Sequence, residues 1–400
     1  MREESRSGWI QSEAWDKRWL IFTCLLAPVP VLIYYISKLL LARFSGMDAP
    51  MQEATAEDIV SLAVMGFAGG PHVWVTYTRT YLNKNFRSRY KLWFASSLFV
   101  LPFTAFMGMH SETSRKLLMT GFFFLASFHI VHQLSYVVRF YQDRDAAKPT
   151  LWSRAIDVGA VVFPLYPVAT FRMVLGNHST LAYQWTYSLF GEYWANTGLP
   201  FRIGRVAPLL PDFVLSDWFW IANTLAFLFF TSLWIAKCVR EYRAGTLHIP
   251  KFLLITCAIA VAIFASLWPN LDSSFQGFNL WHSVQYLALT WYITQQEQKR
   301  GYTTNGFVKR ISQPESGGRR YYLIALGALV TVMLLMVTIG LVISYTQNVG
   351  MFGQAGTMGQ TDQPGAFLQA YYLIGFGLLL THYFHDFWFF NTETYAEAKA

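Results

Sequence analysis

Six of the nine histidines in this sequence fall inside apolar stretches that read as membrane spans: His72, His129, His132, His282, His382 and His385. An imidazole in hydrocarbon is costly, so such a residue turns inward, toward a partner, a substrate or an ion. His129 and His132 are three residues apart, as are His382 and His385. On a helix that spacing puts two rings on one face, close enough to approach one ion. Neutral imidazole suits zinc, copper and iron, and a nitrogen-rich set with little carboxylate or thiolate favours iron or zinc over calcium or magnesium. The six are the candidate metal ligands, serving two ions or one. His110, His178 and His248 lie at span borders or in connections and are left out.

A ligating imidazole needs a partner on its other ring nitrogen. Gln133, Gln285, Thr76, Tyr136, Tyr286 and Asp386 are placed to supply one. Gln133, Gln285 and Asp386 are the candidate supporting residues, with ligation an alternative for Asp386. Tyr77, Tyr136 and Tyr286 are candidate catalytic donors. Taken singly, each of these histidines and tyrosines reads more simply as a hydrogen-bonded packing residue; the argument rests on the joint pattern. The run Gly69-Gly70-Pro71 before His72 adds to it. Pro71 has no N–H and clashes with the preceding turn. A broken helix at mid-membrane is tolerated only against protein or a cavity.

The elements that must position these residues follow from composition. The 400 residues are 54% hydrophobic and 18% aromatic, with only 14% charged, against about a quarter charged in a soluble domain. Ten apolar runs read as spans near 18–42, 57–80, 92–110, 116–141, 155–175, 217–240, 250–268, 277–295, 321–345 and 366–390. The expected fold is an all-α polytopic bundle forming one integral domain over 1–400, with both termini cytoplasmic. With the N-terminus inside, 24 of the 31 lysines and arginines fall on the cytoplasmic side, as the positive-inside rule requires. That division explains the net charge of +8 better than a nucleic-acid surface does. Arg79, Arg139, Lys237 and Arg240 are expected to snorkel to headgroups, with an anionic substrate end as the alternative for Arg79 and Arg139.

Residues 1–17 read as a cytoplasmic segment and show no cleavable signal. Residues 297–320 read as a basic cytoplasmic connector, and 176–216 as a long outer aromatic loop, an interfacial belt or a lid. Cys24, Cys238 and Cys257 read as packing residues; an odd count without a C-x-x-C pair argues against disulfides and thiolate metal sites.

Depth ties the histidines together. In this topology His72 and His132 each precede a tyrosine, Tyr81 and Tyr141, by nine residues, and His282 precedes Tyr292 by ten. At about 1.5 Å per residue this sets the rings roughly 14 Å inside the border, near the midplane of a core about 30 Å thick.

Gly-Gly-Pro-His at 69–72, with histidines on later spans, resembles the bacterial membrane β-carotene cleavage dioxygenases of the Brp/Blh family. The resemblance implies a polytopic protein with non-haem iron held by histidines from several helices. It carries over to His72, and the late cluster His382, His385 and Asp386 is reminiscent of that family's final histidine. The mid-chain His-Phe-Gly string of the family is missing.

The expected function is that of a metal-dependent membrane oxidoreductase. Its form would be a histidine-ligated non-haem iron (Fe2+) oxygenase using dioxygen, with an electron donor where needed, on a carotenoid, lipid or hydrocarbon. Zinc, copper and haem b are the alternative cofactors. The rival functions are a bis-histidine haem electron carrier and a cation- or proton-coupled transporter. The expected location is the bacterial cytoplasmic membrane.

Overall fold

The computed structural model of the chain describes residues 8–145, 148–165, 209, 211–214, 216–267, 271–301, 305–313, 318–351 and 365–390. Among the described residues every regular element is helical and there is no strand. Seven helices are long and apolar enough to cross a membrane: Glu13–Phe44, Met51–Arg79, Lys91–His110, Glu112–Asp143, Ile221–Arg243, Arg319–Gln347 and Ala366–Trp388, with Ile249–Ala265 a shorter apolar helix. The protein is an all-α integral membrane protein.

Those seven coincide with seven of the ten expected spans. The expected eighth span falls within the 29-residue helix Leu271–Lys299, which is long enough but too rich in glutamine, serine and threonine to join the seven. The expected fifth begins in helix Leu151–Phe163, capped by Pro164; most of its remainder lies outside the described residues, as does most of the 176–216 loop.

The outward faces fit a lipid solvent. Helix Arg319–Gln347 has a mean hydropathy of 2.7 and exposes Leu323, Leu334, Leu341 and Val342. A row of exposed aliphatic side chains on one helix is out of place in water.

The chain divides into two compact units, Met1–Val64 with Ser127–Arg202 and Leu210–Tyr286, and Met65–Ala126 with Ile203–Leu209 and Leu287–Ala400. In the first, helix α1 (Val29–Phe44) starts where Pro28 and Pro30 end a 3-10 turn over Phe22–Leu26. It packs on α2 (Ala49–Val64) around Tyr34, Ala56, Val60 and Val64. Gly277 closes this unit tightly, because a Cβ there would stand 2.3 Å from the backbone oxygen of Ala27. Neither backbone can retreat cheaply, so Gly277→Val is expected to destabilise by about 1–3 kcal/mol, as overpacking does. A thermal midpoint in detergent equal to that of the parent protein would refute this.

In the second unit, the helix that carries His72 and the helix that carries His382 and His385 each contain a π turn, a form that often marks functional sites. The turn Met65–Gly69 leads into α3 (Gly70–Arg79), and Tyr371–Gly375 leads into α4 (Phe376–Phe389). The first has a local cause. Pro71 offers no N–H to the turn before it, and the Phe67 carbonyl instead accepts the Tyr322 hydroxyl at 2.7 Å. The expected break at Gly69–Pro71 thus takes the form of a widened turn rather than an end to the helix. Val73 and Tyr77 of α3 and Phe376, Leu379 and Leu380 of α4 share one core with Leu118, Met119 and Tyr372.

Candidate metal centre

Helix α3 presents His72 and Thr76, and its C-cap Thr80 continues the interval of four, one face of a helix. Helix α4 presents His382, His385 and Asp386. All six side chains are buried. The rings of His72 and His382 meet edge to face, with centroids 4.4 Å apart at 89°.

The hydrogen bonds fix where each ring carries its proton. His72 Nδ1 lies 2.9 Å from the Gly69 carbonyl, which can only accept, so Nδ1 donates. In a neutral ring the lone pair is then on Nε2. His382 Nδ1 lies 2.7 Å from Thr76 Oγ1. Thr76 Oγ1 is also 3.3 Å from Asp386 Oδ1, and Asp386 Oδ2 stands 3.5 Å from the same nitrogen; with the Thr76 proton on the carboxylate, its oxygen accepts from His382. In that arrangement the lone pair of His382 is on Nε2 as well. The pattern repeats one turn along. Thr80 donates to the Thr76 carbonyl at 3.0 Å and so accepts from His385 Nδ1, also at 3.0 Å. Metal-binding histidines are held in this way, one nitrogen donating and the other free to ligate. Thr80 was not singled out by sequence, yet its position four residues beyond Thr76 is the signal that finds it.

His385 sits in a different environment from His72 and His382. Tyr81 lies 5.2 Å from its ring, Phe86 6.1 Å, Phe94 6.2 Å and Tyr77 6.4 Å, an aromatic box. Tyr77 donates its hydroxyl to the Leu378 carbonyl at 2.7 Å, which ties α3 to α4.

In the first unit, His129 and His282 form a second edge-to-face pair, centroids 4.6 Å apart, with Tyr286 within 6.5 Å of both. Gln133 donates to the His282 carbonyl at 3.2 Å and to Gln285 Oε1 at 3.0 Å, and Gln285 donates to the Leu20 carbonyl at 2.6 Å. These two amides thus tie backbone to backbone, whereas the sequence suggested they would hold imidazole nitrogens. His132 does not join the pair; half-buried, it stacks on Phe128 at 5.6 Å. Tyr136 packs on Phe140 at 4.9 Å.

His72, His129 and His382 are each buried, and each has a ring nitrogen that could serve a metal ion. Of the histidines left out of the site, His110 is exposed against Phe106 and His178 lies outside the described residues. His248 is buried beside Lys251, whose backbone N–H points to its Nδ1 at 3.4 Å. Burial pushes its pKa down to about 4.

Two expected headgroup contacts are corrected. Arg79 is buried and pairs with Glu297 at 2.6 Å. Lys237 is buried and pairs with Asp157 at 2.5 Å. In each case a carboxylate on a neighbouring helix offers the cation a partner that does not require it to reach water. Arg139 and Arg240 are exposed.

Comparisons with known protein families, with curated proteins and with solved structures gave no match for this chain.

Proposed function

We propose that the protein is a metal-dependent membrane oxidoreductase, a non-haem iron oxygenase of lipophilic substrates, with its metal held through Nε2 of His72 and His382. The observation that carries this reading is the adjacency of two buried rings, 4.4 Å apart, whose Nδ1 atoms lie against separate partners, the Gly69 carbonyl and Thr76 Oγ1. A structural histidine needs one satisfied nitrogen. His72 and His382 lie side by side and each offers a ring nitrogen that could hold a metal ion, imidazole being a ligand that iron and zinc take.

Bound iron would supply dioxygen activation, which is the chemistry an oxygenase needs. The chain's own residues orient the donors and keep the site dry. Thr76 and Asp386 hold the His382 proton at Nδ1, and the carboxylate raises the basicity of the ring. Tyr77, hydrogen-bonded to Leu378, and the neighbouring apolar residues exclude water around α3 and α4. Haem between His72 and His382 is disfavoured, since rings 4.4 Å apart leave no slot for a macrocycle. The Gly69–His72 string that resembles the Brp/Blh dioxygenases contains one of the two proposed ligands, His72.

Elemental analysis and an absorption spectrum of the purified protein test the proposal directly. Iron near stoichiometric amounts without a Soret band is expected; a metal-free or haem-containing preparation would reject it. Thr76→Val should lower metal affinity about 10–100-fold, the usual effect of losing a supporting hydrogen bond. Thr80→Val, which removes a hydroxyl bonded to His385 Nδ1 and to the Thr76 carbonyl but to neither proposed ligand, should leave affinity near the parent value. Equal effects of the two would detach the tautomer from metal binding.

A further inference from the structure

The second unit contains a cavity of about 500 Å³ whose walls include Trp74, Tyr77 and Tyr81 of the α3 region and Leu378 and Thr381 of α4. That volume is within the range of about 300–1,000 Å³ typical of small-molecule sites. Its floor is buried, at Val75, Tyr77, Tyr321 and Ala325, while Leu98 and Phe307 at its rim are exposed. No lysine, arginine, aspartate or glutamate lines it among the described residues. Polar wall atoms are few. The closest pair is Thr78 Oγ1 and Tyr321 Oη, 2.9 Å apart, with Thr78 donating to the Val75 carbonyl at 2.6 Å.

From these features we infer that this cavity binds an uncharged lipophile bearing a single hydroxyl, and that this molecule is the substrate of the centre described above. The identification as substrate rests on the proposed oxygenase reading; the binding itself does not. A charged end would have to lose its water without a counter-ion in the wall, at a large desolvation penalty. A lone hydroxyl can donate to the Thr78 oxygen, which accepts from Tyr321 while its own proton goes to the Val75 carbonyl; a carbonyl would find both protons committed. The exposed rim lets a molecule enter from the surrounding apolar phase, and the wall residues Tyr77 and Tyr81 are the rings that pack on His385. Thr381 is the immediate neighbour of His382. The cavity therefore reaches the two helices that carry the metal-binding rings of this unit.

Trp74 in the wall gives a direct readout. The full-length protein in detergent is titrated with a terminally brominated long-chain alcohol, with the matching brominated fatty acid in its ionised form, and with a phosphatidylcholine brominated on its chains. Saturable quenching of tryptophan fluorescence by the alcohol is expected, with the acid at least roughly tenfold weaker, which is about 1.4 kcal/mol. Trp74→Phe should remove most of that quenching. Ala328→Phe, which fills the wall, should abolish saturation, and the milder Ala328→Leu should weaken it. Alcohol and acid binding equally, phospholipid binding as well as the alcohol, or saturation unchanged in Ala328→Phe would each overturn the inference. Metal content measured on the same samples separates the two proposals. Saturable alcohol binding in a metal-free protein sinks the oxygenase and leaves the cavity, whereas normal metal without saturable binding sinks the cavity alone.

Discussion

His382→Ala should strip the protein of metal and abolish any oxygen-dependent turnover, and His72→Ala should do the same. The two rings contact each other at 4.4 Å, and each is fixed by a separate acceptor, so neither helix can move its donor to make up for the loss of the other. Removing a supporting residue from a metal site typically lowers affinity about 10–100-fold, and a ligand should do worse. The expected result is metal below detection after dialysis, with unchanged elution in gel filtration. His132→Ala and His248→Ala are the controls. The first removes a half-exposed ring stacked on Phe128, and the second a buried ring whose Nδ1 faces the Lys251 N–H; both should keep their metal. Parent-level metal in His72→Ala and His382→Ala would end the case for this centre, whatever the controls showed.

How much of this was legible in the sequence depends on the kind of residue. Helices were legible because apolar length is a one-dimensional property, and the seven long apolar helices are those that hydropathy marks. The kink at Pro71 was legible too, since a missing N–H is fixed by residue type. The grouping of histidines was harder. Equal depth and i,i+3 spacing suggested that His129 and His132 act together, but a face of a helix does not say which neighbour it meets. His129 faces His282, and His132 stacks on the Phe128 ring one turn away. Asp386 and Thr76 were found because they lie a turn from a histidine on its own helix or level with one on another. Gln133 and Gln285 met the same criterion, yet their amide N–H groups reach Gln285 Oε1 and the backbone carbonyls of His282 and Leu20.

Charges inside the bundle were the least legible, and they carry the other large expected effect. Asp157, on the helix Leu151–Phe163, is fully buried between two lysines, Lys237 at 2.5 Å and Lys251 at 3.3 Å, and accepts from Gln142 at 3.1 Å. Lys237 also donates to the Ser153 carbonyl at 3.1 Å, and Lys251 pairs with Asp145 at 3.0 Å. A hydropathy profile counts such residues as span borders and cannot tell a cation facing headgroups from one facing a carboxylate. Breaking a buried pair by removing one partner leaves an uncompensated charge and usually destabilises by about 3–5 kcal/mol. The arrangement makes the two partners unequal. Lys237→Met leaves Asp157 with Lys251, whereas Asp157→Leu leaves two buried ammonium groups across the vacated position, Lys237 with only the more distant Glu241 at 3.7 Å and Lys251 with Asp145. Asp157→Leu should therefore be the more damaging, and the double variant Asp157→Leu with Lys237→Met should recover much of the loss, because an apolar pair replaces both charges while Lys251 keeps Asp145. Denaturation midpoints for the parent, two single and double variants form a closed cycle, and a coupling of roughly 1–3 kcal/mol is expected from groups in contact. Additive losses in the double variant would show that these charges act separately rather than as one buried network.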